Sequence, residues 1–149
     1  MDILALLISI AALVLSFVQF IRDASRGKKE ATLNAFYALQ NEVFDSLDEL
    51  LVNKDIEISA IKLGTDEWGT VTTALAKIEQ FSVGINTNIY SIEILNRVAG
   101  AYFILLFENF KPIIEKKRSQ NISKGKHYDE FEQTVLHLKK IRGKRSGNQ

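Results

Sequence analysis

The sequence predicts an all-α protein: a single N-terminal transmembrane helix followed by a compact cytoplasmic helical bundle of about four to five helices. Three observations carry this expectation. The stretch from Ile3 to Ile21 holds no ionisable side chain. The rest of the chain repeats its apolar residues at three- and four-residue steps, the period of a helix with one dry face. One proline, eight glycines and 46% hydrophobic residues in 149 positions leave few breakers and enough apolar surface for one core.

The first element is the uncharged run, which as a helix covers roughly 28 Å, close to a bilayer's hydrocarbon thickness. A cleaved signal peptide is a poorer reading. Asp2 stands where a basic n-region is needed, and the run ends in the bulky Phe17, Val18, Gln19, Phe20 and Ile21 rather than a small-residue cleavage site. A buried core helix would need more protein around it than 128 further residues supply. The run is followed by a basic collar, Arg22, Arg26, Lys28 and Lys29, against Asp23. Such a collar orients a span with the N-terminus outside and the following domain in the cytoplasm, at the cell inner membrane. The absence of cysteine agrees with a reducing compartment. Residues 1-29 are thus read as anchor and juxtamembrane collar, 30-142 as the cytoplasmic helical domain and 143-149 as a disordered basic tail.

Within the run, Ala5, Ser9, Ala12, Ser16 and Gln19 follow one another at steps of four and three, which places the small and polar side chains on one heptad-like seam. Small residues let two helices approach closely, and an amide can bond across. The seam is a candidate surface for self-association or for a spanning protein partner.

From Glu30 to Val52 the residues Leu33, Phe36, Tyr37, Val43, Phe44, Leu47, Leu50 and Leu51 make one dry face of a long amphipathic helix. Asp55 caps a short turn through Ile56, Ile58 and Ile61, which Gly64 stops, and Thr65 or Asp66 caps the next helix. Its stripe is Val71, Leu75, Ile78, Phe81 and Ile85. The segment Gly84 to Asn88 breaks the pattern, and Ser91 restarts it as an N-cap with Glu93 in the first turn. Val98 to Phe107 is uncharged and too short to cross a bilayer, so it reads as a central core helix, with a membrane-lying segment as the alternative. Pro112 predicts a kink near Asn109. A polar stretch from Arg118 to Lys126 leads to a last helix on Tyr128, Phe131, Val135, Leu138 and Ile141.

Charge is segregated along the chain. Residues 30 to 70 carry nine acids and two bases, a net of −7, and residues 111 to 149 carry eleven bases and four acids, a net of +7. Two readings follow: solvated faces that neutralise one another, or basic ends turned toward anionic lipid. In the second, Arg22, Arg26, Lys28, Lys29, Lys139, Lys140, Arg142, Lys144 and Arg145 face the lipid. Nucleic acid is the weaker partner for these bases, because no stacking aromatics are interleaved with them.

Catalytic patterns are absent from the sequence. Cysteine chemistry is excluded, and His127 and His137 lie too far apart along a helix to share a metal. The segment Gly64 to Gly69 lacks the Lys-Ser/Thr pair of a phosphate loop, and Asn86 and Asn88 lack the glycine and glutamate of a calcium loop. No cofactor and no metal is expected. The sequon Asn121-Ile122-Ser123 has no meaning in a cytoplasmic domain. One polar pair stands out: Glu79 and Arg97 lie at matching heights on either side of the Gly84 to Asn88 turn, and a salt bridge between them would set helix register, with a ligand-binding pair as the alternative.

The stretch Lys77 to Lys117, KIEQFSVGINTNIYSIEILNRVAGAYFILLFENFKPIIEKK, together with the N-terminal run, resembles an uncharacterised bacterial family of small membrane-anchored all-helical domains of unknown function. The residues that carry the resemblance are Ile78, Glu79, Phe81, Gly84, Asn86, Tyr90, Arg97, Gly100 and Pro112. It covers roughly residues 3 to 118 and leaves the basic C-terminal helix outside. The resemblance implies location and fold and no activity.

The expected function is accordingly a single-pass inner-membrane protein whose cytoplasmic bundle is a non-enzymatic interaction or regulatory module. Two alternatives differ in class: an oligomerising membrane effector in stress or phage defence, and a membrane-tethered nucleic-acid-binding protein. The expected partners are membrane lipids and either an unknown protein or a second copy through the span.

Overall fold

The first helix, α1, runs without interruption from Ile3 to Leu39. This computed structural model describes residues 3–50, 57–120 and 127–146, with side chains for 10–50, 57–120 and 127–144. The bundle helix expected to begin near Glu30 is therefore the continuation of the N-terminal helix. Gly27 does not break it, since a glycine in a helix interior costs only about 1 kcal/mol and no proline intervenes. The expected boundary between residues 29 and 30 falls inside this one helix. After Leu39 the chain widens into a π-helical turn, Gln40–Phe44, and then forms the short α2, Asp45–Asp48.

A 3-10 turn, Ile58–Ala60, precedes α3, Asp66–Asn86. Asp55, expected to cap a turn, lies outside the described residues, as does Leu51. Gly64 takes a left-handed φ of 79°, and Thr65 caps α3 by accepting the Trp68 N–H at 3.2 Å. Helix α4, Ile92–Ser119, starts at Ser91, whose hydroxyl accepts the Ile94 N–H. Between them, Asn88 adopts φ 65° and the Tyr90 N–H returns to the Gly84 carbonyl at 2.8 Å, which reverses the chain. Helix α5, Asp129–Ser146, completes the set. Pro112 lies inside α4, on its exposed side, and the helix continues for seven residues past it.

The core is aromatic. Phe36 on α1 meets Phe81 on α3 and Phe103 on α4, at centroid distances of 6.5 and 6.4 Å. Phe44 packs edge-on against Tyr102 at 4.8 Å. Phe131 brings α5 in against Phe103 and Phe107, at 5.9 and 5.3 Å, both nearly perpendicular. The stripe expected for α3, Val71, Leu75, Ile78, Phe81 and Ile85, is buried throughout, as are Tyr128, Phe131, Val135 and Leu138 of the last helix. These contacts set α1 and α4 parallel, with α3 and α5 running the other way. The α4 segment Val98 to Phe107 is one-sided rather than surrounded: Phe103 is buried, whereas Val98 and Leu105 are exposed.

One expectation is overturned. Among the described residues no helix is long and apolar enough to cross a membrane. Helix α1 carries its apolar run straight into Arg22, Asp23 and Arg26 without a break. The single N-terminal transmembrane helix is corrected to an extended apolar arm continuous with the bundle. The single-pass inner-membrane location, with its N-terminus outside and its cytoplasmic domain, falls with it.

Candidate interaction surface

The arm is the part of α1 that precedes Lys28, and every described residue on it from Ile10 to Gly27 is exposed. Leu13, Phe17 and Phe20 keep 72%, 63% and 70% of their surface. These values are those of side chains with no neighbour, although the residues are of the core-forming type. Burial along α1 begins only with Lys28, half-covered, and Thr32, fully covered. Of the expected seam, Ala12, Ser16 and Gln19 lie exposed on this arm. The side chains of Ala5 and Ser9 lie outside the described residues.

At the foot of the arm the α3–α4 turn closes against α1. The Lys28 ammonium donates to the Asn88 side-chain oxygen, and the Ser91 N–H donates to the Thr32 hydroxyl. A cleft of about 360 Å³ opens there, lined by Ser25, Lys28, Lys29, Ser91, Glu93, Ile94 and Arg97. The Ser91 hydroxyl donates to the Glu93 carboxylate at 2.8 Å and, with help from Lys28, holds that carboxyl below its ordinary value. Arg97 is exposed on the cleft wall.

Glu79 and Arg97 are not brought together. The Glu79 carboxylate accepts the backbone N–H groups of Glu130 at 3.1 Å and Phe131 at 2.7 Å, so it caps the start of α5 from α3. Burial raises its carboxyl above the usual range, and the two backbone bonds oppose that rise. Asn86, about two turns further along α3, donates to the Glu130 carbonyl and carboxylate and accepts from Thr134. A polar strap thus docks α5, one that sequence reasoning missed because its acceptors and donors are largely main-chain groups. Facing the same region, Thr72, Thr73, Ala76, Glu79, Lys117, His127 and Tyr128 line a second cleft.

The remaining basic residues divide. Arg22, Arg26 and Lys29 are exposed on α1, and Lys140 and Lys144 on α5. Lys139 is engaged by Glu108, whose carboxyl it lowers. The Arg142 guanidinium donates at 3.1 Å to the side-chain oxygen of the buried Asn96. The side chain of Arg145 lies outside the described residues. Among the described residues no group of three or more His, Asp or Glu side chains is placed to hold a metal ion.

The fold and surface define a class: an all-helical bundle whose first helix continues outward as an uncovered apolar arm. The chain belongs to the family described as a domain of unknown function, DUF4760, which matches residues 6–138. That match takes in the arm and most of α5, the helix that the sequence resemblance left out. No curated protein and no solved structure matches the chain.

Proposed function

We propose that this protein is a non-enzymatic interaction module that self-associates through the arm of α1. The observation that carries the reading is the exposure of Ile10, Leu13, Val14, Leu15, Phe17, Phe20 and Ile21, each at least half uncovered on a single helix. Contiguous apolar surface of this kind marks an association site, because each large side chain returned to an apolar environment is worth about 1.5–3 kcal/mol. A second copy suits the arm for two reasons. Ala12, Ser16 and Gln19 leave a low seam at heptad spacing, along which two arms approach with the larger residues flanking the contact. Asp23 and Arg26 continue that seam at the next steps of four and three, so in a parallel pair Asp23 of one copy lies one step along the seam from Arg26 of the other, within reach of that long side chain. Regulation then acts on the concentration of the assembled form.

Sedimentation velocity over a concentration series tests the reading. The full chain should show a reversible monomer–oligomer equilibrium, and Leu13→Asp with Phe17→Asp should shift it to monomer while leaving the thermal transition of the bundle in place. A wild-type chain that stays monomeric across the series would overturn the proposal.

A further inference from the structure

The cleft at the foot of the arm carries a second inference, independent of self-association. We infer that it is a binding site for a phosphate-bearing anion. Lys28, Lys29 and Arg97 converge on it from α1 and α4, against Glu93 as the one carboxylate among its lining residues. That leaves an excess of two positive charges in the cleft, which matches a dianionic phosphate group. Glu93 is already satisfied by Ser91, and Lys28 by Asn88, whereas Lys29 and Arg97 have no hydrogen bond or ion pair among the described residues. Two free cations of different geometry are therefore held on facing helices: a guanidinium able to chelate two phosphate oxygens, and an ammonium serving as a point charge. The N-terminal end of the 28-residue α4 forms part of the wall and adds positive potential of the same sign. At about 360 Å³ the space exceeds a single phosphate and admits a pyrophosphate or a small phosphomonoester.

Calorimetric titration of sodium pyrophosphate into the full chain at low ionic strength tests the inference, with potassium chloride at matched ionic strength as the blank. Saturable binding at one site is expected, weakened at least about tenfold in Lys29→Gln/Arg97→Gln. Both positions are exposed, so the thermal transition of that variant should match the wild type. Glu93→Gln removes the opposing charge and should tighten binding several-fold, a gain that a folding defect does not mimic. Sedimentation with vesicles of phosphatidylcholine, alone or with phosphatidylglycerol, identifies the source of the phosphate. Dependence on phosphatidylglycerol that pyrophosphate competes away and the double variant lacks assigns a lipid headgroup, whereas pyrophosphate binding without it assigns a soluble ligand. The inference is overturned if neither probe binds, or if the double variant binds as the wild type does.

Discussion

The hydroxyl of Thr32 accepts the Ser91 N–H at 2.8 Å and donates its own proton to the Lys28 carbonyl at 2.7 Å. One fully buried side chain therefore joins the foot of the arm to the residue that caps α4. The bond matters because Ser91 is buried too, and its N–H has Thr32 as its partner.

Replacing Thr32 with valine keeps the shape and removes the acceptor. An unsatisfied buried donor costs about 1–3 kcal/mol, so Thr32→Val should lower the denaturant midpoint by a corresponding amount, whereas Thr32→Ser should recover most of it. Equal midpoints for valine and wild type would show that the Ser91 N–H finds another partner.

Glu79 supplies a different kind of joint, a carboxylate on one helix capping the first turn of another. Glu79→Ala should destabilise the fold by about 1–2 kcal/mol, the range of a lost cap. Glu57→Ala should do much less, because among the described residues the exposed Glu57 carboxylate accepts only from Ser59, two residues away. The pH dependence has a definite sign. Burial raises the Glu79 carboxyl above its ordinary 4.5, so the folded protein holds this proton more tightly than the unfolded chain. The stability contributed by that preference is fully present below the ordinary value and is lost as pH rises through the folded one. Melting temperatures of wild type minus Glu79→Gln, followed upward from pH 4, should therefore decline. A difference that grows with pH would contradict the assignment.

Which of these features can be read from sequence depends on whether the interaction has a side-chain signature. The α3 stripe and the Ser91 cap are visible because helical period and N-cap chemistry are written in residue types. The partner of Glu79 is invisible for the opposite reason: backbone N–H groups look alike at every position. Counting heights on two helices put Arg97 opposite Glu79, but height is only half of the geometry. Leu95, Ala99 and Phe103 define the buried side of α4, and Arg97, two residues on from Leu95, is turned by about 200° to the outside. Asn96 occupies the inward direction and meets Arg142 instead. The fusion of arm and bundle was hidden by the change of character at Arg22, which alters what surrounds the helix without interrupting its hydrogen bonds. Hydropathy registered the apolar run correctly. It did not register that the same helix continues past Arg22 into the bundle as far as Leu39.

The glycines of α3 provide a paired prediction, because two of them sit in the same helix with opposite surroundings. A Cβ on Gly84 would lie 2.3 Å from Cδ2 and Cε2 of Tyr90, whose ring stacks on Phe81 at 5.3 Å and 19°. That ring is held at its backbone by the bond from the Tyr90 N–H to the Gly84 carbonyl, so it cannot retreat without loosening the turn that precedes α4. Gly84→Ala should cost about 1–3 kcal/mol, as overpacking does. A Cβ on Gly69 meets nothing within 4 Å, and the position lies in the first turn of α3. Gly69→Ala should stabilise the fold by up to about 1 kcal/mol, through helix propensity and the reduced freedom of the unfolded chain. Thermal melts of the two variants should therefore move in opposite directions from the wild type. Combining Gly84→Ala with Tyr90→Ala should recover part of the loss, since the ring that creates the clash is then gone. If the double variant fared no better than the sum of its parts, the close approach of Gly84 to Tyr90 would not be the cause.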